Sequence, residues 1–324
     1  MFEVFAVAAD TWSPATPGPG AVTDPTPADD TRRPTARAPA RVTVVVATWN
    51  RRRELERTLA RLRALPKRPP VIVVDNASSD GTADLVATGF PDVRLVVLPA
   101  NRGGAARNIG VRLARTPYVA FSDDDSWWEP RALHAAVRAL DRHPRLAVLV
   151  ARIDLGDGRL DHVSRKMAQG ALGREPDLPG PSVLLFPACA AVVRRDAFLD
   201  VGGFDELLFF GGEESLPALD LAVSGWGLAY VPEVTARHAP SGLRGDSARR
   251  LALHRRNDLL VTWMRLSAGR ALRRTGALAI EALRDPLARD TLRQVLLRLP
   301  AALARRRRVP RAWERRLEVL HELE

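Results

Sequence analysis

Three consecutive acids are the clearest chemical signal in the sequence. Asp123, Asp124 and Asp125 follow the apolar run 118–121 after a single serine, Ser122. A strand cannot bury three adjacent carboxylates without compensation, so we expect them to face solvent or a cation. Asp123 and Asp125 alternate, and could offer hard oxygen ligands to Mg²⁺ or Mn²⁺, which usually keep waters and bind phosphate as well. A surface turn whose acids cap the next helix is the alternative.

Two tryptophans, Trp127 and Trp128, follow these acids after one residue, Ser126. Large aromatic rings beside charged groups suggest a platform for a sugar or an acceptor. The alternative is that both rings only wedge the following helix in place.

Polar residues also follow the other apolar runs. Asp75 ends the run 71–74 and opens a segment typical of turns and helix N-caps. Its functional alternative is a carboxylate that accepts the imide N–H of a uracil or an equivalent base edge. The pair Gly103-Gly104, followed by Arg107, predicts a flexible loop at a helix start, which suits a pyrophosphate.

Strands and helices alternate in the part of the chain that carries these residues. β-branched runs at 42–46, 71–74, 93–98 and 118–121 are separated by segments with helical spacing of leucine and alanine. This pattern predicts an α/β fold with a mainly parallel sheet covered by helices on both faces. Ligands of such folds gather at the carboxyl ends of the strands, where the polar residues stand.

The composition restricts the class of protein. The formal net charge is +11, but only Lys67 and Lys166 of the 49 basic residues are lysines. Such a skew toward arginine indicates coding bias more than a nucleic-acid surface, so no nucleic-acid partner is expected. The single cysteine, Cys189, excludes an intrachain disulfide and predicts a buried thiol. No membrane span or secretory signal is evident, so we expect a cytoplasmic protein.

Three regions follow from these patterns. Residues 1–40 are predicted to be a disordered, proline-rich leader. Residues 41–240 form the predicted α/β domain. Residues 241–324 are predicted to be an arginine-rich, helical C-terminal extension.

The motifs and their order resemble family 2 glycosyltransferases, which have the GT-A fold. The resemblance covers about 42–240 and rests on the segments 44–51, 74–82, 101–110, 121–125, 203–206, 211–214, 225–226, 231–233 and His238. It implies an inverting, metal-assisted enzyme that moves a sugar from a nucleoside diphosphate to an acceptor hydroxyl, with Mn²⁺ or Mg²⁺ as cofactor. It also implies that residues 41–240 are a catalytic domain, with a nucleotide-binding half at 41–128 and an acceptor half at 129–240.

The resemblance also implies residue roles. Glu213-Glu214 falls where the family has Glu-Asp, whose second acid is the general base, and this favours Glu214 as the base. Glu213 stays an alternative, because the Asp-Leu that follows the pair in the family is replaced here by Leu216-Pro217, and Asp220-Leu221 comes later. Both glutamates precede a helix, so we expect both to be ionised at neutral pH. The nucleotide would be held by Thr48, Asn50, Asp75, Arg107 and Asp123, and the metal by Asp123, Asp125 and His238.

Several alternatives stay open. A dinucleotide-dependent dehydrogenase lacks support, since the sequence has no Gly-x-Gly-x-x-Gly fingerprint. A polyprenyl-phosphate sugar transferase or a noncatalytic nucleotide-sugar-binding protein would share the nucleotide half. The acceptor, a carbohydrate or a lipid-linked molecule, is not specified. The C-terminal helices, with Arg305 to Arg308, either contact an anionic membrane at the inner face of the cell or pack on the catalytic domain.

Overall fold

The β-branched runs of the sequence form the strands of one sheet. The computed structural model describes residues 39–156, 158–240 and 247–321, and the predicted leader lies outside them except for its last two positions. The strands are β1 Val42–Thr48, β2 Val71–Asp75, β3 Arg94–Val97, β4 Tyr118–Ser122, β5 Ser126–Trp128, β6 Leu146–Asp154, β7 Ala191–Arg194 and β8 Gly227–His238. Their order across the sheet is β3-β2-β1-β4-β7-β6-β8-β5.

The first half of this sheet is parallel. Strands β3, β2, β1 and β4 run in one direction, with Thr48 opposite Asp75 and Val46 opposite Ser122. Their carboxyl ends therefore meet at one edge, as the sequence predicts. The second half mixes directions: β7 is antiparallel to β4 and β6, β6 and β8 are parallel, and β5 is antiparallel to β8.

The helical spacing in the sequence corresponds to eleven helices in the described part of the chain. They are α1 Arg52–Arg63, α2 Thr82–Gly89, α3 Ala106–Leu113, α4 Ala132–Arg142, α5 His162–Ala168, α6 Arg195–Asp200, α7 Ser215–Val223, α8 Ser247–Arg265, α9 Ala268–Glu281, α10 Pro286–Ala304 and α11 Arg311–His321. A turn of 3₁₀ helix, Gly103–Ala105, leads into α3.

Both faces of the sheet are covered, which confirms the predicted α/β class. Along β1, Val44 and Val46 join one hydrophobic core with leucines of α1 and α4, whereas Val45 joins a second core with residues of α3 and α6. Alternate side chains of a strand point to opposite faces, so one strand contributes to both cores.

The C-terminal helices share a third core with the segment that carries the glutamate pair. Residues of α8, α9 and α10 pack with Leu208 and Leu216, which stand on either side of Glu213-Glu214. None of the helices in the described part of the chain combines the length and the apolar composition that crossing a bilayer requires.

Candidate active site

Thr48 and Asp75 lie side by side at the carboxyl ends of β1 and β2. The hydroxyl of Thr48 donates to a carboxylate oxygen of Asp124 over 3.2 Å. Asp75 is fully buried, and its carboxylate accepts the backbone N–H of Ser78 over 3.1 Å and also the Ser78 hydroxyl. Asp75 thus fixes the turn that follows β2, in keeping with the turn chemistry of its segment.

Asn50 connects the turns that follow β1 and β2. Its backbone N–H donates to the hydroxyl of Ser78 over 2.9 Å, and its side-chain oxygen accepts the N–H of Ser79 over 2.8 Å. Its φ of 52° is in the left-handed region, which asparagine tolerates better than most residues. Beside it, Trp49 is 53% exposed, so an aromatic face is available at this edge of the sheet.

The middle acid, Asp124, points into the protein. It accepts the Nε–H of Arg51 over 3.0 Å, while Nη2 of the same guanidinium donates to Asp125 over 2.8 Å. Burial raises the pKa of Asp124 to about 7; Arg51 opposes this shift, and the charges of Asp123 and Asp125 add to it. Asp124 and Asp125 therefore face a cation, as expected, but that cation is the guanidinium of Arg51. No role for Arg51 was predicted from the sequence, although Arg51 lies in the first segment that carries the resemblance, 44–51.

Asp125 and His238 are neighbours because β5 and β8 pair. Nε2 of His238 lies 3.3 Å from Oδ1 of Asp125, and both side chains are largely buried. Two donors at this separation can occupy adjacent positions around a small divalent cation with bonds of about 2.1 Å. No three metal-binding side chains come together in the described residues. The donor chemistry still fits Mg²⁺ or Mn²⁺, which take few protein ligands and complete their shell with water and phosphate.

Arg107 connects the acids at β4 to the glutamate pair. It is buried, and Nη2 donates to Asp123 over 2.5 Å while Nη1 lies 3.5 Å from Oε1 of Glu213. Asp123 and Glu213 raise the pKa of Arg107 despite its burial, so this positive charge is permanent. Its buried Nε has no hydrogen-bond partner among the described residues. The expected role of Arg107 at a diphosphate stays a prediction; the structure shows that its guanidinium lies between two carboxylates.

Gly103 and Gly104 are required by close packing. A Cβ at Gly103, whose φ is +57°, would lie 2.1 Å from the carbonyl oxygen of Phe209, and a Cβ at Gly104 would lie 2.4 Å from Oε1 of Glu213. The N–H of Gly104 donates to the same Phe209 carbonyl over 2.6 Å. The expected flexible loop is thus a packed contact, because only glycine allows the two backbones to approach so closely.

Glu213 and Glu214 have different surroundings although they are adjacent. Glu213 is buried, and its Oε2 accepts the N–H of Gly211 over 2.7 Å. Glu214 is half-buried, and its Oε1 accepts the N–H of Ala188 over 3.3 Å. Of the two, Glu214 is the acid that a ligand can reach.

The expectation that both glutamates are ionised at neutral pH is wrong. Burial raises the pKa of Glu213, although Arg107 opposes the shift. Burial, followed by the charge of Glu213, raises the pKa of Glu214 to about 8. The stabilisation that a helix N-terminus gives to a carboxylate is smaller than the cost of desolvating two adjacent acids.

The tryptophan pair does not form an open platform. Trp128 is 1% exposed and belongs to the core beside α4. Trp127 is half-buried, with the guanidinium of Arg61 over its ring at 5.7 Å. Asp220 is held by Arg265, whose Nε and Nη2 donate to its carboxylate at 2.6 and 2.7 Å.

Comparison with known proteins identifies the family of the chain. Residues 43–202 match the model of the family described as "Glycosyl transferase family 2". An N-acetylglucosaminyl-diphospho-decaprenol L-rhamnosyltransferase of Mycobacterium tuberculosis (strain CDC 1551 / Oshkosh) is 30% identical over 252 residues, which cover 67% of this chain and 82% of that protein. A pre-mycofactocin glycosyltransferase of the same strain is 31% identical over 274 residues, covering 75% of this chain and 56% of that one.

Solved structures share the fold. A mannosyltransferase from Pyrobaculum calidifontis, PcManGT, in complex with GDP-Man and Mn²⁺, superposes with a TM-score of 0.53 at 24% identity, over 84% of this chain and 76% of that one. Residues 1–349 of S. aureus TarS, in complex with UDP-GlcNAc, give a TM-score of 0.51 at 21% identity, over 68% of this chain and 66% of that one.

Proposed function

The chain belongs to glycosyltransferase family 2, and on that premise we propose that it transfers a sugar from a nucleoside diphosphate to an acceptor hydroxyl with inversion at the anomeric carbon. The observation that carries the proposal is the position of Glu214. It is the reachable carboxylate of the pair, and its pKa of about 8 suits a group that takes up a proton. The second candidate, a noncatalytic nucleotide-sugar-binding protein, requires none of this arrangement.

In the proposed reaction, Glu214 accepts the proton of the acceptor hydroxyl. The acceptor oxygen forms its bond to the anomeric carbon as the bond from that carbon to the diphosphate oxygen breaks. Attack on the face opposite the leaving group inverts the configuration, and the charge on the ring resembles an oxocarbenium ion. Protonated Glu214 then returns its proton to solvent when the product leaves.

The donor would lie along the edge formed by the strand ends. Thr48, Asn50 and Asp75 set the shape of the nucleoside site, and the exposed ring of Trp49 offers a stacking face for the base. Asp123, Asp125 and His238 would hold Mn²⁺ or Mg²⁺, which when bound neutralises charge on the diphosphate. Arg107 keeps Asp123 in place and adds a permanent positive charge.

Separate glutamine substitutions test the assignment of the base. We expect Glu214→Gln to lower kcat by about 10²- to 10⁴-fold while the donor dissociation constant stays within about threefold, since general-base catalysis contributes that much. The donor is identified beforehand, by measuring which nucleotide sugar of a panel raises the Tm of the protein in the presence of Mn²⁺. Glu206→Gln is the matched control, because Glu206 is an exposed acid paired with Arg102. Full turnover by the Glu214 variant would overturn the assignment.

We further propose that the acceptor is lipid-linked and that the protein works at the cytoplasmic face of an anionic membrane. Helix α9 and the turn that follows it expose three large apolar side chains, Leu272, Ile280 and Leu283, at 61%, 72% and 77% of their surface. A spacing of eight residues puts Leu272 and Ile280 on one side of α9, and Leu283 follows in the turn. Exposed arginines flank these side chains, at Arg273 and Arg284, and suit anionic headgroups.

The Arg305–Arg308 run is a weaker membrane candidate than the sequence suggests. Arg306 donates to the carbonyl oxygens of Trp263 and Leu266, and the backbone N–H of Arg307 donates to the carbonyl of Met264 over 2.8 Å. This segment therefore packs against the end of α8, which was the alternative role for the C-terminal helices.

Co-sedimentation with phosphatidylglycerol vesicles tests the membrane proposal. Ile280→Ser with Leu283→Ser should lower the bound fraction at low salt several-fold, because two large apolar side chains leave the interface. Val97→Ser, at a 51% exposed position on β3, is the control. Equal binding by both variants, or none by wild type, rules against this face. Transfer of sugar to polyprenyl phosphate in the same vesicles tests the alternative function, a polyprenyl-phosphate sugar transferase.

A further inference from the structure

Asn257, in the middle of α8, is buried against the loop that precedes the glutamate pair. Its exposure is 0%, and its side-chain nitrogen lies 2.8, 3.0 and 2.7 Å from the carbonyl oxygens of Leu208, Phe210 and Gly211. Carbonyl oxygens can only accept hydrogen bonds, so the amide nitrogen must face them. One side chain thus binds three of the four peptide carbonyls between 208 and 211.

Arg256 completes this contact. Its Nη2 donates to the Leu208 carbonyl over 2.7 Å, and its Nε donates to the side-chain oxygen of Asn257 over 2.9 Å. Burial and the charge of Arg298 lower the pKa of Arg256 to about 10, so it remains charged at neutral pH. The side-chain oxygen of Asn257 is thereby occupied, which fixes the orientation of its amide.

Loop 208–211 has a strained backbone conformation that needs support from the surrounding structure. Phe209 has a φ of 60°, and the N–H of Phe210 donates across it to the carbonyl of Leu208 over 2.8 Å. This is the tight, three-residue turn with positive central φ, which is rare and strained for a residue with a side chain. External hydrogen bonds to its carbonyls are what such a turn needs to persist.

The same loop is in direct contact with the candidate active site. The Phe209 carbonyl accepts the N–H of Gly104, and the Gly211 N–H donates to Glu213 over 2.7 Å. Glu213 contacts Arg107, and Glu214 follows in the chain. A displacement of the loop would therefore move both glutamates.

We propose that Asn257 is a positioning residue: it holds loop 208–211 in the strained turn that places Glu214 for proton transfer. This inference rests on the proposed role of Glu214. It also gives the C-terminal helices a function in catalysis, since the residue that fixes the loop comes from α8 and Leu208 and Leu216 share the core of α8–α10.

Asn257→Asp is the sharpest test, because it keeps the shape and replaces the donor with an acceptor. A carboxylate oxygen facing three carbonyl oxygens repels them, so we expect kcat to fall by about 10- to 100-fold with the donor KM within about threefold. The pH dependence of kcat/KM should shift as well, since the surroundings of Glu214 change. Asn257→Gln, which keeps a donor at a different reach, should recover part of the rate.

Asp258→Asn is the matched control. It is the reverse isosteric change one residue along the same helix, and Asp258 pairs with Arg274 of α9 and not with the loop. It should keep kcat within about twofold. If Asp258→Asn loses as much rate as Asn257→Asp, the loss comes from helix docking and the proposal is overturned. A folded Asn257→Asp with wild-type kcat also overturns it.

A readout without turnover separates this proposal from the proposed function. Amide hydrogen exchange of Gly104 and Gly211 should be at least tenfold faster in Asn257→Asp than in Asp258→Asn, since both amides donate within the contact that the loop makes. Faster exchange in Asn257→Asp, in a protein that transfers no sugar, would refute the proposed function but support the role of Asn257 in holding loop 208–211. Unchanged exchange in Asn257→Asp would refute that role.

Discussion

At the scale of single residues, the acids of this site differ more in their surroundings than in their intrinsic chemistry. Asp124 and Glu214 have pKa values raised to about 7 and about 8, mainly by burial. Arg51 pairs with Asp124, and Arg107 pairs with Asp123 and Glu213, so both guanidinium charges counter part of that cost. Removing either arginine would leave a largely buried carboxylate without its cation, which is destabilising.

The pKa of Glu214 leads to a prediction about pH. A base must be ionised, and a group with a pKa of about 8 is about 10% ionised at pH 7 and about 90% at pH 9. We expect kcat/KM for the acceptor to rise about tenfold over this interval, as initial rates at acceptor concentrations well below KM and at saturating donor would measure. A flat profile from pH 6 to pH 9 would show that another group is the base.

Stability should change in the opposite direction. The folded-state pKa of Glu214 lies above its ordinary value of 4.5, so ionisation is penalised in the folded state and the free energy of unfolding falls as pH rises toward about 8. Glu214→Gln cannot ionise. At pH 9 it should therefore have a higher Tm than wild type, and this also controls for misfolding in the kinetic assay.

Asp125 leads to a prediction about metal. If it holds the cation with His238, EDTA should abolish transfer, Mn²⁺ should restore it, and Asp125→Asn should need roughly tenfold more Mn²⁺. A readout besides activity is the Tm increase that Mn²⁺ gives with a nucleoside diphosphate, which the variant should lose.

Because Asp125 also binds Arg51, the Asp125→Asn variant should lose some stability, unlike a variant of a solvent-facing acid. Asp92→Asn, an exposed acid, is the control. Full activity in EDTA would contradict the metal role.

At the scale of elements, the site is a junction of turns held at fixed distances by close packing. The 3₁₀ turn at Gly103–Ala105 packs on the backbone at Phe209, and the first residue of β5, Ser126, pairs with the last residue of β8, His238. Neighbouring turns of this kind are coupled, because each supplies the surface on which the other packs.

Gly104→Ala tests this packing. The added methyl would stand 2.4 Å from Oε1 of Glu213, so that glutamate must move away from Arg107. We expect kcat to fall more than tenfold and stability to fall by about 1–3 kcal/mol, as overpacking typically costs. Gly276→Ala is the control: it lies in open space on α9, where alanine should stabilise the helix by about 0.5–1 kcal/mol. Equal behaviour of the two variants in urea unfolding and turnover would contradict the packing argument.

At the scale of the whole molecule, a buried ion pair as well as apolar contacts holds the C-terminal helices against the rest of the fold. Arg265 at the end of α8 is 3% exposed and binds Asp220 of α7 through two hydrogen bonds. Its Nη1 also donates to the carbonyls of Met264 and Arg305. This bridge connects α7, which begins just after the glutamate pair, to α8 and to the segment that follows α10.

Asp220→Asn should therefore destabilise the entire fold. Removing one member of a buried ion pair leaves an uncompensated charge, which typically costs about 3–5 kcal/mol. Urea unfolding should show that loss, whereas Asp258→Asn, in the half-exposed pair with Arg274, should lose about 1 kcal/mol or less. Similar small losses in both would mean that Arg265 finds another partner.

The sequence by itself determined the α/β class, the family and the edge of the sheet where the site lies. Strand and helix periodicity are local, and the carboxyl ends of neighbouring parallel strands lie at the same edge of a sheet, so the sequence alone predicts that Thr48, Asp75 and Asp123 lie close together. The expected roles of those residues in binding nucleotide and metal stay predictions, as do the three regions.

Only the tertiary structure decided how these residues are partnered and charged. Asn108 exchanges two hydrogen bonds with the backbone of Phe204, 96 positions later, and Asn257 reaches the loop before Glu213 from more than 40 positions beyond it. No local pattern encodes such contacts. The protonation of Glu214 depends on how completely the surrounding chain removes water from it, and that burial exists only after distant segments have packed.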